Sequence, residues 1–265
     1  MKKEKIGIVL LFVLGVIAVM TMFFIDPIIQ NESYHLFNDN RSFVNIPNFW
    51  NVISNYPFLI VGGLGVIYFM QSKKPEISYV LLFLGIILVA IGSGYYHLFP
   101  SSQSLVWDRL PMTIVFMTLF SIVIKEFVSV RLGRLVLFPL ILVGMSSILY
   151  WAFGKSGDLR FYALIQFYPM LAIPIILIFF KSKYNKGIEY WILLTSYIIA
   201  KILEYFDAEI YLFLEFISGH SLKHIVAAIG LYVLLNFYKK RNNIVKENLK
   251  RFPSSYSPVK RILSK

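Results

Sequence analysis

Gly92-Ser93-Gly94-Tyr95-Tyr96-His97-Leu98-Phe99-Pro100, continued by Val106-Trp107-Asp108-Arg109-Leu110-Pro111-Met112, is the stretch whose reading decides the fold. It sets a serine, a histidine and an aspartate where one apolar run ends and the next begins, among Leu, Ile, Val and Phe on both sides. Polar groups between two such runs need partners, because an unsatisfied donor or acceptor away from water costs free energy. The other close histidine pair, His220 and His224, also stands at the start of an apolar run, more than a hundred residues further on.

Working outward, the 265 residues are 58% hydrophobic, 17% aromatic and only 15% charged, with the charges confined to short stretches between apolar blocks. That is the composition of an all-α, polytopic membrane bundle. Eight blocks have about the length that crosses a hydrocarbon core as a helix: Ile6 to Ile25, Val52 to Met70, Ile77 to Tyr96, Leu110 to Ile124, Leu135 to Phe153, Phe161 to Phe180, Tyr190 to Phe206 and Leu222 to Tyr238. The fourth is short and is expected to continue past Lys125. The first has no small-x-small cleavage site before Asp26-Pro27 and is long for a signal peptide, so it reads as a signal-anchor helix. Pro169 and Pro174 are expected to kink the sixth block.

Three divisions follow: residues 1–33 as anchor and connector, 34–238 as a seven-helix core, and 239–265 as a basic tail, disordered from Arg251 on. The net charge of +12 points away from nucleic acid, since nine Lys/Arg and one Glu between Lys239 and Lys265 supply +8 of it. A basic stretch directly after an apolar helix faces anionic lipid at a cytoplasmic surface. With the N-terminus inside, all five inner segments are positive, Lys181/Lys183/Lys186 against Glu189 among them, whereas of the outer segments Lys155 and Arg160 against Asp158 make +1 and Glu204, Asp207, Glu209 and Glu215 make −4. Both termini are therefore expected in the cytoplasm, with Ser93, His97, Asp108, His220 and His224 towards the outer leaflet.

The chain has no cysteine, which excludes disulfides, thiolate ligands and a cysteine nucleophile. Any metal must sit on His, Asp or Glu. Positions i and i+4 share a helix face, so Ser93 aligns with His97 and His220 with His224. Three neutral imidazoles with an open fourth position describe a catalytic zinc site, which lowers the pKa of bound water to about 7. Asp108 fits a general base and acid, and Ser93 a hydrogen-bond donor to an oxyanion. The bland alternative is that such histidines bond across helices and the serine back to its own carbonyl. Three of the chain's four histidines gather here, and ionisable groups in spans are functional candidates by default. His35 is expected to be structural or solvated, the acidic run mostly a solvated face, Asp207 an orienting partner for a ligand histidine or Arg109, and Arg109 an ion-pair partner. Asn51, Ser54 and Asn55 enter a span and need hydrogen-bond partners within it.

Asn48-Phe49-Trp50-Asn51-Val52-Ile53-Ser54-Asn55, Gly92-Ser93 with Tyr96-His97, Trp107-Asp108-Arg109-Leu110-Pro111-Met112 and Ser218-Gly219-His220-Ser221-Leu222-Lys223-His224 together resemble the alkaline ceramidase family, within the integral-membrane hydrolases that include the progestin/adiponectin receptors. The resemblance covers roughly Tyr34 to Tyr238. It implies a seven-helix core with zinc on His97, His220 and His224, Ser93 and Asp108 as catalytic helpers, and hydrolysis of the amide of ceramide or a related N-acyl lipid. The first span is an addition to that pattern. Asn48 stands where the family carries a glutamate of an acidic calcium site, so calcium is not predicted even though Asp39 remains. Two other readings stand beside the enzyme: a receptor-like or lipid-binding protein with a structural zinc, and a transporter with a His/Asp relay, against which the scarcity of charges in the middles of the spans counts. A membrane and a lipid substrate are the partners implied; oligomeric state is not legible.

Overall fold

The computed structural model describes residues 2–154, 157–182 and 187–251, with backbone alone from 242 onward. Lys155, Lys183 and Lys186, counted above among the loop charges, and the tail beyond Arg251 lie outside the described residues. Among the described residues ten α-helices follow one another: α1 (Lys2–Phe24), α2 (Phe49–Ile53), α3 (Tyr56–Met70), α4 (Ile77–Leu98), α5 (Ser102–Val123), α6 (Val130–Phe153), α7 (Arg160–Phe179), α8 (Ile188–Tyr205), α9 (Asp207–Leu214) and α10 (Gly219–Arg251). Among the described residues there is no strand, only isolated bridges such as Ile29 with Asp158. This is the polytopic helical bundle that the apolar blocks predict.

Seven of these segments are long and apolar enough to cross a membrane: α1, α2 with α3, α4, α5 with the turn after it, α6, α7 and α10 up to Arg241. The seventh expected block, α8, carries Glu189, Lys201 and Glu204 within its 18 residues, too many charges for composition alone to mark it as a span. It packs along α10, with Lys201 and Glu204 ion-paired. Large side chains such as Phe12 (72% exposed) and Phe153 (82%) face outward, as they do where lipid is the solvent.

Span boundaries correct the expected ones in two places. The fourth begins at Ser102, not Leu110, because Ser101 and Ser104 form a reciprocal capping box that starts a helix within polar sequence. At its other end it continues past Lys125 as expected, through a π-helical turn over Ile124–Val128. The extra residue in that turn brings Lys125 and Glu126 inward. There Lys125 donates to Ser78 Oγ (2.6 Å), and Glu126 accepts from Tyr79 (2.6 Å) and Arg241 (3.0 Å). Helix α7 runs unbroken through Pro169 and Pro174, and α10 continues helically to Arg251, beyond the expected start of the tail.

Helix α1 packs on α7, with Gly7 against Phe179 and Phe180. Its connector is tied down where Asp158 Oδ1 accepts from Ile28 N (3.2 Å) and Arg160 donates to the carbonyls of Met22 (2.8 Å) and Ile25 (2.6 Å). Burial works to raise the pKa of Asp158, but the hydrogen bonds from Arg160 and Ile28 outweigh it and hold the carboxyl below its usual range. Helices α4 and α5 approach most closely, since a Cβ on Gly92 would lie 1.9 Å from the Trp107 carbonyl oxygen. Small residues permit such contact between helices that cannot rely on water to drive them together. The main core joins Leu82, Phe83 and Ile86 of α4 to Phe120, Ile173 and Leu234 of α5, α7 and α10.

Candidate metal centre and cavity

His97 lies in the last turn of α4, and His220 and His224 in the first turns of α10. One nitrogen of each comes within 4.8 Å of the others. All three rings are buried, His97 to 1% exposure and His220 and His224 to 7% each. His97 Nε2 and His220 Nε2 are 3.3 Å apart. His224 Nδ1 shares a 2.8 Å hydrogen bond with Ser54 Oγ, which leaves its Nε2 for the cluster, and His97 Nδ1 has no hydrogen-bond partner. Facing imidazole nitrogens without an acid among them are poor mutual partners but a donor set suited to zinc. The three residues thus fit the metal that their spacing predicts.

The polar residues at the start of the second span find partners for all but one group, the side-chain oxygen of Asn55, which is buried without one. Asn51 Nδ2 donates to the Asp39 carbonyl (2.9 Å), its Oδ1 accepts from Ser221 Oγ (2.9 Å), and Asn55 Nδ2 donates to the Asn51 carbonyl (2.8 Å). Asn48 donates to the His97 carbonyl (2.8 Å). The Ser54 contact holds the His224 ring in orientation, and such a contact bears strongly on metal affinity where the ring is a ligand. Asp39 is buried, and its two oxygens take the Arg41 guanidinium at 2.8 and 2.7 Å. Arg41 also donates to the carbonyls of Glu215 and Phe216.

Ser93 sits one turn before His97, buried on the same face and close to the Asp108 carboxylate. Asp108 stands two turns inside α5, not at its start. Both line a cavity of about 350 Å³, together with His224. At that head the walls also carry Arg109, Lys201, Glu204 and Lys223; further on they are apolar, with Ile86, Val115, Ile173, Leu193 and Leu231, as far as Tyr190.

Several expectations are corrected here. Glu204 is no solvated residue: its side chain is 21% exposed, and it is bridged by Lys201 (2.7 Å) and Lys223. Glu209 and Glu215 are exposed, as expected. Asp207 orients His220 through the backbone, accepting from His220 N at 2.6 Å, and holds Asn38 at the same distance. Arg109 pairs with no acid by hydrogen bond among the described residues; its Nη2 donates to Gln30 (2.7 Å) and its guanidinium lies over Tyr34, Trp151 and Tyr162. His35 is structural, between Tyr96 (3.0 Å) and Ser102 (3.1 Å). Lys223 was the residue that sequence reasoning passed over, although a lysine inside an apolar span, between two histidines, is itself a signal.

Fold and site together define an integral-membrane helical protein with a buried three-histidine cluster beside a largely apolar cavity that His224 lines. A family model described as Ceramidase matches residues 38–257. The chain belongs to the Ceramidase family, which supports a ceramide-hydrolysing membrane enzyme acting in lipid metabolism. Comparison with curated proteins gives no match.

Proposed function

We propose that the protein is a zinc-dependent amidohydrolase that cleaves the amide bond of ceramide or a related N-acyl lipid, releasing a fatty acid and an amine. The observation that carries this reading is the convergence of His97, His220 and His224 beside Ser93 and Asp108 at the head of one cavity. When bound by the three imidazoles, zinc supplies Lewis acidity and a water that ionises near neutral pH. The Ser93 hydroxyl donates a hydrogen bond to the acyl oxygen as negative charge develops on it. An Asp108 oxygen takes the proton of the attacking water and passes it to the departing nitrogen. The apolar walls beyond Ile86 hold the acyl chain and keep bulk water from the reaction.

In the membrane, both termini are placed in the cytoplasm and the centre towards the outer leaflet, on the support of the positive segments at one end of the spans. We further divide the chain as residues 1–33, 34–238 and 239–265, an anchor, a hydrolase core and a basic tail.

The test is purification with metal analysis, then hydrolysis of N-acyl lipids. One zinc per chain is expected, lost together with turnover on His97→Ala, His220→Ala or His224→Ala. Asp108→Asn is expected to abolish turnover while sparing zinc and lipid binding. Zinc-free active protein, or unchanged activity in the histidine variants, would overturn the reading; a receptor with structural zinc would bind lipid but cleave none.

A further inference from the structure

One ion pair in the cavity wall is used by no step of the proposed chemistry. On α10, Lys223, Ala227 and Leu231 follow at i, i+4 spacing and line one side of the cavity; on α8, Glu204, Ala200 and Tyr197 line another. In each stripe the charged residue stands at the end nearest the histidine cluster, Lys223 as the neighbour of His224 and Glu204 through its bridge to Lys223. A lysine and a glutamate inside an apolar bundle stabilise it little more than apolar side chains of the same size would. Their place therefore needs another reason.

The pair is not closed on itself. The side chains of Lys223 and Glu204 are 16% and 21% exposed, and both line the cavity. Of the three donors on the Lys223 ammonium, Glu204 Oε1 takes one, and no other acceptor among the described residues takes the rest. Glu204 Oε2 accepts from Lys201 (2.7 Å), and a carboxylate with one donor on each oxygen keeps lone pairs to spare. Free donors and free acceptors thus lie side by side. A hydroxyl, which is both donor and acceptor, satisfies the two together. An anion would face the Glu204 carboxylate, and a plain methylene would leave both unmet.

The position of the pair decides which hydroxyl. Asp108, the residue that serves the departing nitrogen, lies within electrostatic reach of Lys223. A ligand group beside Lys223 therefore belongs to the amine half, close to the nitrogen. In ceramide both carbons next to the nitrogen-bearing one carry a hydroxyl on the amine side, one primary and one secondary.

We propose that Lys223 and Glu204 form the specificity-determining site for the amine half of the substrate: Lys223 Nζ donates to, and a Glu204 oxygen accepts from, a hydroxyl on a carbon next to the one that bears the nitrogen. The inference rests on the hydrolase reading and deepens it. No bond is made or broken at the pair itself.

The test separates binding from turnover. Ketone isosteres of ceramide, with a methylene in place of the amide nitrogen, cannot be cleaved; the full isostere is compared with forms lacking the primary hydroxyl, the secondary hydroxyl or both. Wild-type protein is expected to bind the full isostere roughly 10- to 100-fold more tightly than the form lacking both, the scale of a hydrogen bond to a charged group. The single deletion that costs more identifies the hydroxyl held. Lys223→Met is expected to bring that ratio within about threefold, with affinity for the form lacking both hydroxyls also within about threefold of wild type. Since Lys223→Met leaves Glu204 with Lys201 alone, Lys223→Met/Glu204→Met, which removes both members of the pair together, is measured beside it and should show the same collapsed ratio. Equal binding of all the isosteres by the wild type, binding of none, a ratio that survives in both variants, or loss of every isostere by both variants would overturn the proposal. If the ratio holds and depends on Lys223 but no parent amide is hydrolysed, the hydroxyl site stands and the hydrolase reading falls. If ceramide and its deoxy forms are hydrolysed while the isosteres bind alike, the hydrolase reading stands and the site falls.

Discussion

At Gly92 a single hydrogen in place of a methyl group sets the distance between α4 and α5. A Cβ there would meet the Trp107 carbonyl, while one on Gly94, two residues on, would meet nothing within 4 Å. Gly92→Ala is therefore expected to destabilise the protein by about 1–3 kcal/mol. It should also cut turnover, because pushing α5 away carries Asp108 off Ser93. Gly94→Ala is the control and should be neutral. Thermal unfolding and hydrolysis rates on both variants check this; equal behaviour of the two would show that the approach of these helices is not limiting. The residues on either side of this contact were legible in the sequence for a simple reason. Histidine and aspartate are rare in apolar runs, and i, i+4 spacing aligns them without knowledge of the fold. The partners of Glu204 were not, because whether that carboxylate faces solvent or Lys223 depends on how α8 is rotated against α10, and no local pattern encodes the rotation.

Among elements, the connector between α1 and α2 shows how a short segment can respond to pH. The 3₁₀ turn Glu32–His35 holds His35 between Tyr96 and Ser102. Burial lowers the pKa of His35, Arg109 lowers it further, and Glu32 opposes them. The folded state thus disfavours the charged ring. Its contribution to stability is fully present above the ordinary histidine pKa of about 6.5 and is lost as pH falls below that value towards the depressed one. His35→Asn is expected to flatten the dependence of the unfolding midpoint as pH falls below about 6.5, relative to wild type. An unchanged slope would show that other groups carry it. Element boundaries were readable where an apolar run gives way to polar, charged or glycine residues, as at Met70, Ile77 and Phe153, which are helix limits in the fold. The fourth span defeated that rule at its start, since Ser-Gln-Ser-Leu-Val-Trp-Asp-Arg is polar enough to pass for a loop. Its capping box and the buried partners of Asp108 and Arg109 make it helical.

For the molecule as a whole, composition and loop charge were enough to give a helical membrane bundle, because the hydrocarbon core admits few other architectures. What they could not give was the inner volume. A cavity depends on which faces of α4, α5, α7, α8 and α10 turn towards one another, and apolar lining and lipid-facing surface have the same composition. The floor of that cavity is a case in point. Tyr190 closes it, fully buried, with its hydroxyl 2.9 Å from that of Tyr238, in the layer that also holds Tyr79, Glu126 and Arg241. On the proposed amidohydrolase reading, a floor pinned in this way would make the bundle a measuring device, counting methylenes from the scissile carbonyl and rejecting the chain that is too long. Tyr190→Ala is expected to move the optimum acyl length upward by several carbons in a competition among saturated N-acyl substrates, whereas an unmoved optimum would mean that the chain leaves sideways between helices.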